Sequence, residues 1–175
     1  MNWYFFHLAG YFILLVVFQE LVIDKLPLNT YVSPQVYLMF ILLLPFKYST
    51  IKSMLWAFAL GLTIDICSFG ILGLHTIPLV AMAYLRPYLL KIVTATNHIE
   101  SIQIPSPKTL DFRPFLSYIT LSSLIYQSIL FSLDNFTFHN LHHLILRILL
   151  STIFTTVFIV MIQYAFIGPQ QKNKT

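Results

Sequence analysis

The stretch from Gly61 to Arg86, GLTIDICSFGILGLHTIPLVAMAYLR, constrains the fold more than any other. Two apolar runs are joined by a short glycine-containing turn. Asp65 lies near the end of the first run, and Gly73 and His75 open the second. Both runs are long enough to be membrane helices. A charged Asp at the centre of such a helix costs about 2.5–3.5 kcal/mol on insertion scales. The carboxylate must therefore be compensated by partners or lie near an interface.

The rest of the chain points the same way. Only 9% of its 175 residues are charged and 58% are hydrophobic, whereas a soluble domain carries roughly 25% charged residues. So few charges do not cover a globular surface, and the lipid bilayer becomes the main solvent. The length suits a single membrane domain. The basic residues are spread along the chain rather than clustered in a stripe, which excludes a nucleic-acid footprint. Cys67 is the single cysteine, so neither an intrachain disulfide nor a cysteine metal cluster can form. No Lys or Arg precedes the first apolar run, and no small-residue cleavage pattern follows it. That run is expected to remain as an anchor.

Six membrane segments are expected, in an all-α bundle of six helices. They cover about 3–23, 32–46, 51–68, 72–90, 115–133 and 144–167. Ser33 and Pro34 suit a helix start in the second. From Pro34 to Phe46 that helix spans only about 20 Å, against a hydrocarbon core of about 30 Å. All six runs are apolar on most faces, as a span requires and a surface helix does not. An even number of crossings puts both termini on one side. That side receives Lys47, Lys52, Arg86, Lys91, Lys108, Arg113, Lys172 and Lys174, and the other receives Lys25 and Arg147. The excess of positive charge predicts cytoplasmic termini. The connection 91–114, with Pro105, Pro107 and Pro114, reads as a cytoplasmic loop that touches anionic lipid or docks a cytoplasmic partner.

Gly61, Asp65, Gly70 and Gly73 together read as a short, closely packed helical hairpin. A glycine at a helix interface lets backbones approach, and Gly70 and Gly73 suit a tight turn. Asp65 falls about 14 residues into its helix, roughly 21 Å from the cytoplasmic end. There it suits a helix-end carboxylate bonded to the following turn or to a neighbouring helix, or one that contacts a partner. A proton or cation site would need Glu20, Asp24 or His75 as a second group. Glu20 and Asp24 share one helix face and can snorkel to water. His139, His142 and His143 would fall on one helix face, but neither a cysteine nor an HExxH pattern accompanies them, and they read as a polar outer loop. Nucleophile-elbow, P-loop and dinucleotide motifs are absent, and no carboxylates pair by spacing. Catalytic, cofactor and metal residues are accordingly not assigned.

The same hairpin resembles the bacterial rod shape-determining protein MreD family. The matching features are Gly61, Asp65 one helical turn later, the pair Leu72 and Gly73, His75, and an apolar helix ending in Tyr84, Leu85 and Arg86. The resemblance implies a fold similar to the substrate-binding subunits of energy-coupling-factor transporters. It implies a non-enzymatic subunit of the cell-wall elongation machinery in the bacterial inner membrane. Such a subunit binds the scaffold MreC and supports the glycosyltransferase RodA and a class B penicillin-binding protein, with the actin-like MreB beneath. The family carries no catalytic residues or cofactor. The competing reading is a subunit that binds a vitamin or other small solute for transport. Those subunits use an alanine-x3-alanine pattern in the first helix, and here Ala9 is followed by Ile13. A small membrane enzyme is the third reading.

Overall fold

The computed structural model describes residues 2–25, 32–45, 48–68, 70–94, 105–106, 109–134 and 141–167. The described residues are all helix and connection, with no strand. Helix α1 covers Asn2–Phe18 and passes directly into a π-helical turn, Gln19–Ile23, closed by the Asp24 amide on the Gln19 carbonyl at 2.9 Å. Helix α2 is only Leu38–Leu42. Helices α3 (Thr50–Cys67), α4 (Thr76–Thr94), α5 (Phe112–Asp134) and α6 (Leu141–Ile167) follow. Among the described residues, five stretches are long and apolar enough to cross a membrane: Phe6–Ile23, the whole of α3, α4 and α5, and Leu141–Ala165. The chain is thus a multi-pass membrane protein by length and composition. Exposed Leu, Ile and Phe side chains line the outer faces of the long helices, as lipid contact requires.

Helices α3 and α4 pack as a hairpin, α4 packs on α5, and α5 on α6. The ring of Phe112 meets that of Tyr164, and Arg147 pairs with Asp134 at 2.9 Å, so α5 and α6 run antiparallel. Helix α4 begins with Pro78 in its first turn, where a missing amide is harmless. It also runs through Pro87 and extends to Thr94. The connection expected over 91–114 therefore starts later and ends earlier, and 95–104 and 107–108 lie outside the described residues.

The second expected segment differs most. Residues 32–46 do not form a continuous helix: 32–35 are non-helical, 36–37 make a turn, and helix occupies only Leu38–Leu42. Five residues rise about 7.5 Å, far too little to span a bilayer. The physical reason lies outside the segment. The carbonyls that would take the first intrahelical bonds of a helix starting at Pro34 are held by other helices: Gln127 Nε2 donates to Ser33 O at 3.3 Å and Gln19 Nε2 to Pro34 O at 3.1 Å, and the Leu38 amide turns to Gln35 O at 3.3 Å. The segment's first amides are bonded across the bundle as well. Ser33 N donates to Ser151 Oγ at 3.1 Å, Gln35 N to Thr155 Oγ1 at 3.0 Å, and Val36 N to Gln19 Oε1 at 3.0 Å. At the far end Pro45 follows Leu44 and disfavours helical backbone there.

This segment is the core of the bundle. Every residue from Val36 to Leu42 is at most 2% exposed. It starts beside Gln19 and the middle of α6 and ends at Arg86 and Tyr118, carrying the chain through the interior between the two ends. Its carbonyls are met as its amides are. Gln19 Nε2 donates to Pro34 O at 3.1 Å, Gln127 Nε2 to Ser33 O at 3.3 Å, Tyr118 Oη to Leu42 O at 3.2 Å, and the Arg86 guanidinium to Leu44 O. Irregular backbone at membrane depth persists only where protein groups replace water in this way. Aromatic packing fixes the segment sideways. Phe40 stacks among Tyr11, Phe12 and Trp56, and the Tyr37 and Tyr126 hydroxyls meet at 2.7 Å.

Substituting Gln19→Leu leaves the Val36 amide and the Pro34 carbonyl without partners in an apolar interior. A loss of about 2–6 kcal/mol follows from two orphaned groups at roughly 1–3 kcal/mol each. The thermal midpoint of the detergent-solubilised protein is expected to fall accordingly. Ser128→Ala, whose hydroxyl bonds only the Leu124 carbonyl of its own helix, is expected to stay within about 0.5 kcal/mol. Equal effects from the two substitutions would remove the special role given to Gln19.

Candidate functional site

The site that the sequence singles out forms where α3 ends and α4 begins. Asp65 lies in the last turn of α3, with a side chain that is 0% exposed. Its carboxylate accepts a set of bonds that all come from the chain just before α4 or from its first residue. Oδ2 receives Gly73 N at 2.8 Å, Thr76 Oγ1 at 2.6 Å and Thr76 N at 3.3 Å. Oδ1 receives His75 N at 2.9 Å and stands 2.9 Å from His75 Nδ1. Asp65 is therefore the N-terminal cap of α4, supplied from the neighbouring helix. The amides at a helix start have no partner within the helix, and the dipole there favours a negative charge. Both facts lower the burden of burying a carboxylate in an apolar bundle.

Two glycines make this geometry possible. Gly61 faces Thr76 one turn before Asp65. A methyl group on Gly61 would collide with the Thr76 Cα and lie 2.9 Å from its amide nitrogen. Only a hydrogen at position 61 lets α4 start close enough for Asp65 to reach it. Gly73 has φ +99, a left-handed conformation that an L side chain rarely adopts, and that conformation aims its amide back at Asp65. Gly70 plays no such part: its φ is not positive, and its nearest neighbour is the Ser68 hydroxyl, 3.3 Å from a built Cβ. Of the two glycines that suit a tight turn, Gly73 takes the left-handed conformation.

The remaining residues of the expected hairpin separate. Tyr84 is 50% exposed on the outer face of α4 and packs on Tyr88, with ring centroids 5.8 Å apart. Arg86 is buried at 4% exposure, but it sits three helical turns beyond His75 and bonds the Leu44 carbonyl. It belongs to the opposite end of the bundle from Asp65. The second titratable group near Asp65 is His75, whose ring stands edge-on to Tyr37 at 6.1 Å. Asp24 accepts from Gln19 Nε2 at 2.8 Å, and desolvation raises its carboxyl above the ordinary value while the Gln19 amide opposes that shift. Glu20 does not simply snorkel: its Oε1 is buried without a partner among the described residues. His142 and His143 are exposed at the start of α6, and His139 lies outside the described residues. The described residues contain no group of three potential metal ligands.

Sequence reasoning missed Thr76, which makes the shortest bond to Asp65, and the glutamines at 19 and 127. A signal for each was present. Thr76 stands two residues before Pro78, where helix starts gather capping residues. A glutamine inside an apolar run marks a polar group that must find a partner. Comparisons with protein-family models, curated proteins and solved structures find no match for this chain.

Replacing Asp65 by Asn puts an NH2 group among donors and removes the charge. The Asp65→Asn variant is expected to lose about 3 kcal/mol, as when one partner of a buried ionic contact is removed. Gly61→Ala overpacks the α3–α4 contact and is expected to lose about 1–3 kcal/mol. Thermal unfolding in detergent reads both. A midpoint unchanged in Asp65→Asn would show that the cap contributes nothing to the fold.

Proposed function

We propose that this chain is a non-enzymatic membrane subunit of the bacterial cell-wall elongation machinery, of the MreD kind. In this reading it binds the scaffold MreC and supports RodA and its class B penicillin-binding protein, with MreB beneath the membrane. One observation carries the reading. Four of the residues behind the resemblance, Gly61, Asp65, Gly73 and His75, converge at the joint of one hairpin, where both carboxylate oxygens of Asp65 are engaged by the start of α4. An acidic residue spent on holding two helices together suits a scaffold subunit better than a proton carrier or a general acid.

The inner membrane and cytoplasmic termini follow from the same reading. Five long helices and the interior segment 32–45 let the chain cross an even number of times, and the basic excess then lies on the side of both termini. Cys67, exposed at the end of α3, then faces outward. The solute-binding alternative has a cavity of about 400 Å³ in its favour, lined by Tyr11, Leu15, Met39, Ile162 and Gln163 among others. That lining is nearly all hydrocarbon and suits an acyl chain better than a polar vitamin.

Tagged protein purified from its native membrane in mild detergent is expected to bring down MreC together with RodA or a class B penicillin-binding protein. Tyr84→Ala, on an exposed face of the hairpin, is expected to weaken that recovery without moving the thermal midpoint. Recovery of ATPases and a coupling subunit instead would replace this reading with the transport one. An impermeant thiol reagent is expected to label Cys67 in intact cells freed of outer barriers. Labelling only from the cytoplasmic side would reverse the topology.

A further inference from the structure

At the opposite end of the α3–α4 pair, a cavity of about 220 Å³ opens between the start of α3 and the second half of α4. Its walls include Ser49, Thr50, Ser53, Ala83 and Arg86. Three features of this cavity point to an anion. First, Arg86 is 4% exposed, and its Nε has no hydrogen-bond partner among the described residues, although the guanidinium is anchored on the Leu44 carbonyl. Second, Ser53 is 1% exposed, and its Oγ is likewise without a partner among the described residues. Third, the cavity sits on the N-terminus of the 18-residue helix α3. There Ser49 Oγ accepts the Lys52 amide, and the first intrahelical bond is Ser53 N to Ser49 O, so the amides of Thr50 and Ile51 precede the ladder. The named walls carry one fixed positive charge, hydroxyl donors and a helix N-terminus, and no carboxylate.

A buried guanidinium N–H without an acceptor is costly to maintain. Arginine's fork and a helix N-terminus both match tetrahedral oxyanions. Lys52 and Lys91 are exposed at the same end of the α3–α4 pair and add positive potential at its mouth. The level also fits. The cavity lies at the first turn of a membrane-spanning helix, where the headgroup region meets the hydrocarbon. We infer that this cavity binds a phosphate group, with Arg86, Ser53 and the start of α3 as its donors. The inference stands whether or not the chain is a cell-wall subunit. The phosphate can belong to an anionic lipid headgroup or be free in solution, and the test separates the two.

The full-length protein in an uncharged detergent is titrated with inorganic phosphate, with dihexanoyl phosphatidylglycerol, and with dihexanoylglycerol as a phosphate-free control. Thermal unfolding is the readout. A saturable rise of about 5 °C is expected at a hundredfold excess over Kd. Ser53→Asp places a carboxylate beside Arg86, and Ala83→Leu fills the same space without charge. Both are expected to abolish the rise, and either suffices if the other fails to fold. A rise with the phospholipid alone assigns a lipid headgroup, and a rise with inorganic phosphate as well assigns the phosphate group itself. No rise with either, an equal rise in the folded variant, or an equal rise with dihexanoylglycerol overturns the site.

Discussion

The interior segment 32–45 sets the terms for the rest of the bundle. A chain that crosses an apolar protein without forming a full helix exposes amides and carbonyls that water would otherwise satisfy. Here they are satisfied by side chains from the π-helical turn after α1 and from α4, α5 and α6, all projecting inward from otherwise apolar helices. Removing any one donor leaves a buried polar group, so these contacts are more tightly coupled than their number suggests. They also explain the chemistry of the long helices. Gln19, Gln127, Ser151 and Thr155 are each at most 1% exposed, and each bonds the segment's backbone, through both amide atoms of Gln19, Nε2 of Gln127 and the two hydroxyls.

Asp65 solves the same problem at a different place. The start of α4 lies against α3 with amides that have no helical partner, and a carboxylate from α3 supplies the acceptors. The close approach that Gly61 permits is what makes the reach short enough. Arg86 does the reverse at the other end, where a cation bonds the carbonyl of Leu44 just before the chain leaves the interior. The buried charges of Asp65 and Arg86 thus each close a backbone end, a carboxylate at amides and a guanidinium at a carbonyl. The Arg86 contact leaves Nε without a partner among the described residues, and Arg86 also lines the cavity at the start of α3.

A hairpin held by an internal cap is rigid at its joint and presents its outer face to lipid or to a partner. Tyr84, Tyr88 and Ile77 stand on that outer side of α4. A subunit that positions other membrane proteins needs such a fixed surface more than it needs reactive groups. This is why the functional reading leans on the architecture of the hairpin and not on any reaction centre.

Much of this was legible in the residues. Apolar runs, scarce charge and glycine spacing determined that the chain is a helical membrane bundle with a tight α3–α4 hairpin, because the bilayer leaves few alternatives to helices. The position of Asp65 near the end of a run already suited a bond to the following turn or to a neighbouring helix, and it is the turn and the first residue of α4 that supply the donors. Tertiary structure decided what local pattern does not encode. Ser33 and Pro34 signal a helix start, yet the segment becomes helical only at Leu38, because Gln127 and Gln19 hold the Ser33 and Pro34 carbonyls that a helix would need for its first bonds. Gly70 and Gly73 look alike in sequence, and only Gly73 takes the left-handed conformation, because its amide must face Asp65. Arg86 follows the hairpin in the chain but serves the far end of the bundle, since the rise of α4 carries it there. Which polar group meets which backbone atom depends on distances between helices far apart in sequence, and those distances exist only once the bundle is packed.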